Sequence, residues 1–508
     1  MKQNFSLSGV PDFNLLQTKR RDYILSIIKN QLEIFGFSPL STAAIQRRTN
    51  LFGNYGDEID KLIFQILKSG DYLKKVDLKE KNINIENVSS KISDKALRYD
   101  LTVPLVKFLA ENKSQLNFPF KRYEIGSVWR ADRAQKGRLK EFTQCDADIV
   151  NDFSGYDDVV SSVPLVSQYD ILFLIQSVFF NLGLKGVTIK INSRVILKGL
   201  FHCMSYNLEN FIDNGVQQIR SSPKFDKSIT FLDFCTILDK KDKIGKEGVE
   251  KALLEKGFLP IDVSKLTDLL ETKTLDLMDN FFEPALKLND EFKVAVSFIR
   301  DFISNDIIPN SSSSSINFEF DLGLARGLDY YSGLIFEVVV SDLSISIAGG
   351  GVYDNTLTTK FGLNNISGIG VSFGLDRIYL AMEEQDLFVD FNTLDVLFIN
   401  NHSIDYNQKL DGELHALSYV CELRKCGKSS EVFPFYYTKT DGSVSKKNLK
   451  KQMSYANKRG VRYVVILGEK FCDVQKKKIQ TFIVKDMETG DQNFSDISKL
   501  IDLLNKDE

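Results

Sequence analysis

The stretch that decides the fold is FKRYEIGSVWRADRAQKGRLKEFTQCDADIV, residues Phe120–Val150. Its two ends predict strands, and its basic middle predicts the loop that joins them. Side chains alternate between the two faces of a strand, so each strand gathers polar groups on one face. These groups are Arg122, Glu124 and Arg130 on the first strand and Gln144, Asp146 and Asp148 on the second. Polar groups are costly to bury without partners, which leaves two interpretations: a solvent-facing sheet, or the floor of a site for a polar ligand.

The loop between these strands carries Arg133, Lys136, Arg138 and Lys140 around Gly137. Guanidinium and ammonium groups bind phosphate oxygens strongly, and the glycine leaves the backbone free to adapt. The loop therefore favours a polyphosphate ligand over packing in a core.

Two later stretches also combine polar side chains with apolar surroundings. ARGLDYYSG (Ala325–Gly333) places Arg326, Asp329 and two tyrosines in a strand-like region. GIGVSFG (Gly368–Gly374) is not a GxGxxG dinucleotide fingerprint and lacks its βαβ context. Its glycines instead predict a strand that passes close beneath a flat ligand, with Arg377 opening the next helix toward that ligand.

Length and composition bound the class of protein. The chain has 508 residues, enough for about three domains, and 43% of them are hydrophobic, which excludes a disordered or fibrous protein. Six cysteines are too few for a disulfide framework, so we expect a reducing compartment, the cytoplasm. No apolar run suits a signal peptide or a membrane span, so we expect a soluble protein. Cys421 and Cys426 lie near His415, but we favour ordinary thiols over a metal site there.

The formal net charge of the whole chain is only −3, but the charged residues are unevenly distributed. Arg424–Lys478 carries 15 Lys and Arg against four Asp and Glu. Such a run is usually a solvated face, and on a terminal domain it is also typical of nucleic-acid binding. Both interpretations stay open on charge alone.

Periodicity predicts how the chain is organised around these motifs. An amphipathic helix is expected over 16–35, paired strands over about 85–150, and a Lys-rich, mostly helical region to about residue 309. Ser311–Ser315 then predict a hinge or surface loop, after which strand-like stretches resume. Beyond a linker at Phe391–Thr393, LDVLFIN, HALSYVCELRKCG and VRYVVILG predict a small α/β domain.

Four stretches in order, LRYDLTVPL (Leu97–Leu105), Phe120–Val150, ARGLDYYSG and GIGVSFGLDRIYLAM (Gly368–Met382), resemble histidyl-tRNA synthetases of class II. The resemblance implies an α+β fold: a six-stranded antiparallel-sheet catalytic core with a helical insertion, followed by a C-terminal α/β anticodon-binding domain. It implies core halves at 1–189 and 316–390, the insertion at 190–315, and the last domain at 393–508. It also implies a homodimer that activates L-histidine with ATP and Mg²⁺ and then charges the 3′ end of tRNA-His, with no DNA or membrane partner.

The same resemblance assigns roles to residues of the histidine site. Asp100 and Thr102 match positions that hold the α-amino group, and Gln144 and Asp148 match positions that line the amino-acid pocket. Asp148 would accept a hydrogen bond from one imidazole nitrogen while Tyr331, next to Tyr330, bonds the other. A ligand without those nitrogens would leave buried polar groups unpaired and be rejected.

On the ATP side, the resemblance makes Arg130 the catalytic group at the α-phosphate and Arg326 a second catalytic arginine that also contacts histidine. Arg377 would contact ATP, Phe142 would stack on adenine, and Arg138 and Glu141 would complete the site. The histidine carboxylate is itself the nucleophile, so rate comes from positioning and from cations that neutralise charge on phosphorus. Metal ligands are not identified.

The chain also departs from the family's pattern. Ala43 and Gln46 stand where proline and glutamate are usual at the dimer interface, and Val352 stands in GGVYD where arginine is common. Ser429-Ser430-Glu431 replaces the Arg-Ala-Glu thought to meet the anticodon. Two alternatives remain: a non-catalytic regulatory paralogue, which typically loses the catalytic arginines and the last domain, and a class II synthetase for another amino acid, which Asp148 and Tyr331 disfavour.

Overall fold

The computed structural model describes residues 7–74, 76, 85–155, 163–213, 216–223, 230–271, 290–303, 316–325, 330–341, 343, 345–388, 394–400, 409–434, 436–438, 444–446, 448–467 and 482–506. The chain divides into two compact units, one ending at Leu387 and the other comprising Phe13–Arg20 and the chain from Phe388 onward. The linker expected at Phe391–Thr393 and the serines at Ser311–Ser315 lie outside the described residues.

The helices, in chain order, are α1 (Leu15–Ile34), α2 (Arg48–Leu51), α3 (Asp57–Asp60), α4 (Ile85–Ile92), α5 (Thr102–Asn112), α6 (Leu165–Asn181), α7 (Arg194–Ser205), α8 (Phe231–Leu238), α9 (Lys241–Lys256), α10 (Pro260–Glu271), α11 (Asp290–Ile303), α12 (Asn355–Thr358), α13 (Leu375–Glu384), α14 (Lys409–Lys425), α15 (Leu449–Arg459) and α16 (Ile497–Lys506). None of them, within the described ranges, is long and apolar enough to cross a membrane.

The strands of the first unit are β1 (Ser38–Pro39), β2 (Ile45–Arg47), β3 (Gln65–Leu67), β4 (Ser93–Leu97), β5 (Phe120–Trp129), β6 (Glu141–Asp152), β7 (Val187–Ser193), β8 (Tyr206–Asp213), β9 (Val216–Pro223), β10 (Ile316–Phe320), β11 (Tyr331–Val340), β12 (Ser346–Tyr353) and β13 (Ile366–Gly374). Those of the second unit are β14 (Leu394–Asn400), β15 (Ser430–Val432), β16 (Tyr436–Thr438), β17 (Val444–Lys446), β18 (Val461–Leu467), β19 (Phe482–Asp486) and β20 (Gln492–Ser495).

An eight-stranded sheet in the order β1-β5-β6-β13-β12-β11-β7-β10 organises the first unit. Its six inner strands are antiparallel to one another, and β1 and β10 pair in parallel at the two edges. The predicted six-stranded antiparallel core is therefore confirmed, with one parallel strand added at each edge.

The predicted hairpin lies next to β13, the fourth strand of this sheet after the predicted insertion. Phe120 pairs with Val150 at one end of β5 and β6, and Trp129 pairs with Glu141 at the other. On its other side β6 pairs with β13, where Asp148 lies opposite Gly370. Stretches far apart in the sequence thus form one surface, and their polar faces meet on it.

The insertion departs from the sheet after β7, which stays paired with β11 up to Ser193. The helices that follow β7 begin with α7 at Arg194, and the antiparallel hairpin β8–β9 interrupts them. Helix α8 begins with a capping box, in which Thr230 Oγ1 accepts from the Asp233 amide at 3.1 Å and the Asp233 carboxylate accepts from the Thr230 amide at 3.2 Å. Such a cap satisfies two otherwise unpaired amides and stabilises the helix by about 1 kcal/mol.

The second unit has a five-stranded sheet in the order β15-β14-β18-β19-β20. Strand β14, the second in this order, is parallel to both neighbours, and its successive residues Val396, Leu397 and Phe398 are all buried. Burial on both faces is what parallel strands covered by helices require, which explains the unbroken apolar run of LDVLFIN. The α/β character predicted for this region is therefore confirmed.

Candidate active site

A cavity of about 590 Å³ lies on the polar face of the large sheet and is lined from both halves of the core. Nine of the twelve predicted site residues line it: Asp100, Thr102, Arg130, Arg138, Phe142, Gln144, Tyr330, Tyr331 and Arg377. Glu141 and Asp148 are not among its lining residues, and Arg326 lies outside the described residues.

Asp100, just before helix α5, is a buried carboxylate held by three donors. Its Oδ1 accepts from Tyr55 Oη at 2.9 Å and from the Val103 amide at 3.1 Å, and its Oδ2 accepts from Tyr330 Oη at 3.0 Å. Burial raises the pKa of Asp100, and these hydrogen bonds oppose the rise. Asp100 is therefore an oriented acceptor on the cavity wall, suited to a cationic group such as an ammonium.

Tyr55 holds Asp100 in place, a contact that the sequence does not predict. It lies in FGNYG, a short loop whose sequence carries no periodicity or charge that marks it for the site. Its pKa is raised well above the usual value by burial and by Asp100, so its hydroxyl stays protonated and donates.

Gln144, near the start of β6, presents a free acceptor to the cavity. Its Nε2 donates to Ser372 Oγ at 2.7 Å, whereas its Oε1 is buried and makes no hydrogen bond among the described residues. An unpaired buried carbonyl is costly, and a donor on a ligand would offset that cost.

Three arginines bring positive charge to the same cavity. Arg130 donates from Nε to the Tyr99 carbonyl at 3.1 Å, and its guanidinium lies 4.4 Å from the ring centroid of Tyr99 and 5.1 Å from that of Phe142. Arg377 donates from Nε to the Gly137 carbonyl and from Nη1 to the Ser346 carbonyl, both at 2.8 Å.

The electrostatics of Arg377 show how close these charges are. Burial lowers its pKa, and Arg138 and Arg130 lower it further. Like charges are costly to gather in a half-buried site unless an anion neutralises them. The cluster therefore suits a phosphate-bearing ligand, as the basic loop predicts.

The basic loop itself is fixed to helix α13. Lys136 forms an ion pair with Glu384, and Gly137 adopts a left-handed backbone (φ +73°) while its carbonyl accepts from Arg377. Arg138 makes a longer ion pair with Asp132, 3.5 Å away. These contacts hold the basic side chains of the loop in place beside helix α13.

Beneath the cavity, the polar faces of β5 and β6 form a buried charge network. Arg122 is 0% exposed; its Nη2 lies 2.7 Å from Asp148 Oδ2 and also donates to the Leu101 carbonyl at 3.0 Å. Glu124 pairs with Arg98 at 2.8 Å. Because these side chains are buried, the polar face of β5 and β6 is not exposed to solvent. Their burial supports the second interpretation, in which this face is the floor of a site for a polar ligand.

Asp148 is buried among several neighbours at the floor of the site, and its predicted contact with an imidazole stays a prediction. Besides its ion pair with Arg122, it accepts from Tyr353 Oη at 2.9 Å, and its Oδ1 lies so close to Gly370 that a Cβ there would be 2.2 Å away. The glycines of β13 thus make room for Asp148 and for the Tyr353 ring over Gly368. The expectation of a flat ligand above the glycines of β13 stays a prediction.

The remaining predicted positions are structural in the described residues. Val352 is buried and packs against Gly333, a site that suits an aliphatic side chain. Gln46 is buried and donates to the Ala43 carbonyl. Cys421 and Cys426 are free, exposed thiols, and no cluster of three metal-ligating side chains occurs among the residues that the structure describes.

Comparison with known proteins follows the same division of the chain. A family model described as histidyl-tRNA synthetase matches residues 271–378, and one described as anticodon binding domain matches residues 395–507. The chain is 40% identical over 503 residues to the histidine–tRNA ligase of Christiangramia forsetii, covering 97% of each, and 36% identical to that of Flavobacterium johnsoniae, covering 95% of each.

Solved structures share the fold at lower identity. The crystal structure of histidyl-tRNA synthetase from Nostoc sp. PCC 7120 aligns over 100% of both chains with a TM-score of 0.71 and 23% identity. A Bacillus halodurans structure titled ATP phosphoribosyltransferase regulatory subunit/histidyl-tRNA synthetase aligns over 92% of this chain and 100% of that one, with a TM-score of 0.63 and 16% identity. The fold alone therefore does not separate an enzyme from a regulatory paralogue.

Proposed function

Because the chain belongs to the histidyl-tRNA synthetase family and is thereby an aminoacyl-tRNA ligase, we propose that this cavity activates L-histidine with ATP. The product histidyl group is then transferred to the 3′ end of tRNA-His. The observation that carries the assignment is the convergence, in one cavity, of a buried acceptor at Asp100 with the three arginines at 130, 138 and 377.

The activation step needs no side-chain nucleophile. A carboxylate oxygen of histidine attacks the α-phosphorus of ATP, the bond to the β-phosphate oxygen breaks, and pyrophosphate leaves with the electron pair. Charge grows on the phosphoryl oxygens during this step, so cations fixed in advance lower the barrier. Arg130 is fixed by its bond to Tyr99 and by two aromatic rings, which suits it to the α-phosphate.

We assign the histidine α-ammonium to Asp100, Thr102 and Gln144. Asp100 is held by two tyrosine hydroxyls, and Gln144 Oε1 is a buried acceptor without a hydrogen bond among the described residues. Thr102 bonds Tyr330 and thereby helps to orient Asp100. Arg326, on the family resemblance, completes the catalytic pair, and Arg326→Ala is expected to abolish adenylate formation without loss of fold.

We assign ATP to the opposite group of residues. Arg377 and Arg138 contact its phosphates, Phe142 stacks on adenine beside Arg130, and Glu141, at the start of β6, acts at the edge of the site. Glu337 also lines the cavity, and burial raises its pKa. One carboxylate together with nucleotide phosphates is a usual magnesium environment, so Glu337 would hold Mg²⁺, which neutralises phosphate charge when bound.

We propose that the second unit binds the anticodon of tRNA-His through the basic surface expected of the stretch Arg424–Lys478. Glu431, of the Ser429-Ser430-Glu431 segment, accepts from Tyr455 Oη at 2.7 Å and lies 3.8 Å from Arg459. Ser429 is bonded to Asp395 at the neighbouring strand. The exposed edges of unstacked anticodon bases are the kind of feature that such fixed polar groups read. A homodimer and a cytoplasmic location complete the proposal.

The regulatory paralogue remains the rival function, and ATP–pyrophosphate exchange separates the two. Purified protein is assayed with each of the twenty amino acids, without tRNA. Exchange with histidine alone is expected. Binding of histidine by a folded protein that exchanges with none of them would overturn the assignment in favour of the regulatory paralogue.

A further inference from the structure

Arg21, on helix α1, contacts the catalytic core from the side of the sheet opposite the cavity. Its Nη1 forms an ion pair with Asp376 Oδ1, and its Nη2 donates to Thr143 Oγ1 at 3.3 Å. Side chains alternate along a strand, and Phe142 and Gln144 line the cavity, so Thr143 between them faces the other side of β6. Arg21 is not a lining residue of the cavity, so it acts on a ligand there through its partners.

Asp376 connects Arg21 to the cavity. It lies in the first turn of α13 and is itself a lining residue. Its Oδ1 accepts from Arg21, and its Oδ2 accepts from the Thr143 amide at 3.1 Å. Strand β13 pairs with β6 as far as Gly374, opposite Gln144, and the chain then enters α13. The Asp376 carboxylate thus provides the acceptor for the next amide of β6, which β13 no longer reaches.

The burial of this contact distinguishes it from a surface ion pair. The side chains of Arg21 and Asp376 are 11% and 10% exposed, whereas those of Lys29 and Glu33 on the same helix are 56% and 51% exposed. Exposed pairs contribute little because water screens them, and removal of one partner of a shielded pair leaves a charge without compensation. Loss of Arg21 should therefore displace the Asp376 carboxylate and with it the first turn of α13.

Two residues assigned to ATP adjoin this contact. Phe142 precedes Thr143 on β6, and Arg377 follows Asp376 on α13. The bond from the Thr143 amide to Asp376 joins positions 233 residues apart in the chain. The hydrogen bonds that Arg377 itself donates go to the basic loop and to β12. The contact made by Arg21 therefore joins the helix that carries the guanidinium assigned to phosphate directly to the strand that carries the ring assigned to adenine.

Resting on the proposed function, we propose that Arg21 is a positioning residue for ATP that acts through Asp376. By holding Asp376 against Thr143, it fixes the distance between the Arg377 guanidinium and the Phe142 ring. ATP spans this distance, with adenine at one end and its phosphates at the other. A wrong distance weakens binding of the whole nucleotide and spares its separate parts, since each part contacts one of the two residues.

The test is ATP–pyrophosphate exchange by Arg21→Met at varied ATP, histidine and pyrophosphate. The KM for ATP should rise about tenfold or more, because a small misplacement of binding groups has effects of this order. The KM values for histidine and pyrophosphate, and the inhibition constant of adenosine against ATP, should stay within about twofold of the wild type. A merely structural role would instead lower kcat through loss of folded enzyme and leave the KM for ATP unchanged.

Four further variants make the result specific. Lys29→Met removes an exposed cation of the same helix and should leave every constant unchanged. Arg21→Lys keeps a cation for Asp376 and should restore the KM for ATP to within about threefold of the wild type. Asp376→Asn should raise the KM for ATP, and Arg21→Met/Asp376→Asn should raise it no more than the larger single change, since both act through one contact. Arg21→Gln serves if the methionine variant does not fold, and should raise the KM for ATP at least about threefold.

An unchanged KM for ATP without Arg21, additive effects in the double variant, or an equal rise in the KM for pyrophosphate would overturn the inference while the ligase assignment stands. Absence of histidine-dependent exchange in the wild type would instead overturn the proposed function, and the inference with it.

Discussion

Replacing Arg122 by methionine should destabilise the catalytic core strongly and in a pH-dependent way. The guanidinium is 0% exposed, and Asp148, Asp146 and Glu124, in that order, raise its pKa against the effect of burial. Removing it leaves three buried carboxyls without their shared cation. Loss of one partner of a buried ion pair costs about 3–5 kcal/mol, so we expect a loss of about 4 kcal/mol at pH 7.

The pH dependence follows from the acids left behind. Burial already raises the pKa of Asp146 to about 8 and raises that of Asp148, and Arg122 opposes both shifts. Without Arg122 the folded protein binds more protons near neutral pH than the unfolded chain does. Stability then falls as pH rises, by about 1.4 kcal/mol per unit for each extra proton, so the penalty should be smaller at pH 5 than at pH 8.

The assay is urea unfolding followed by fluorescence of Trp129, the one tryptophan in the sequence, which ends strand β5. Its signal reports the hairpin that carries Arg122. Arg138→Met is the matched control, because its side chain is 50% exposed and its ion pair should contribute less than about 1 kcal/mol. Arg122→Met/Asp148→Asn should recover part of the loss. A loss below about 1 kcal/mol that does not vary with pH would refute the reasoning.

Three further outcomes are expected. In Arg377→Lys, the lysine cannot reproduce both hydrogen bonds to the Gly137 and Ser346 carbonyls. We therefore expect kcat/KM for ATP, measured by exchange at varied ATP, to fall about a hundredfold, with little change in kcat/KM for histidine. Equal losses for both substrates would contradict the assignment. Tyr55→Phe removes a hydrogen bond that lowers the pKa of Asp100, so the KM for histidine should rise several-fold. The rise should be larger at pH 6 than at pH 8, because protonated Asp100 binds an ammonium group poorly. A change in KM that does not vary with pH would argue against this role. Affinity for tRNA should fall steeply with salt because bound phosphates release counterions, and a salt-independent Kd would remove the basic surface from the binding site.

The sequence predicted the hairpin and its polar faces because a strand period of two is a local property. It could not predict that Asp148 lies against Gly370, Tyr353 and Arg122, because these three residues come from separate stretches of the chain. Tyr55 was missed for a similar reason, since its role exists only once the loop before α3 approaches Asp100. Packing between distant segments, rather than local pattern, decides which polar side chains line the cavity.

The pairing of β6 with β13 joins two strands that are synthesised at very different times. Asp152 of β6 pairs with Ile366 of β13, about 200 residues later in the chain, which at 5–20 residues per second is about 10–40 s of synthesis. During that time β6 is paired with β5 on one side and has an unpaired edge on the other. An unpaired strand edge can pair with a strand of another chain, which leads to aggregation. The insertion is translated within this interval. A nascent chain that ends before Ile366 thus carries the basic hairpin without the strand that completes its floor, and the catalytic cavity comes into being only late in synthesis.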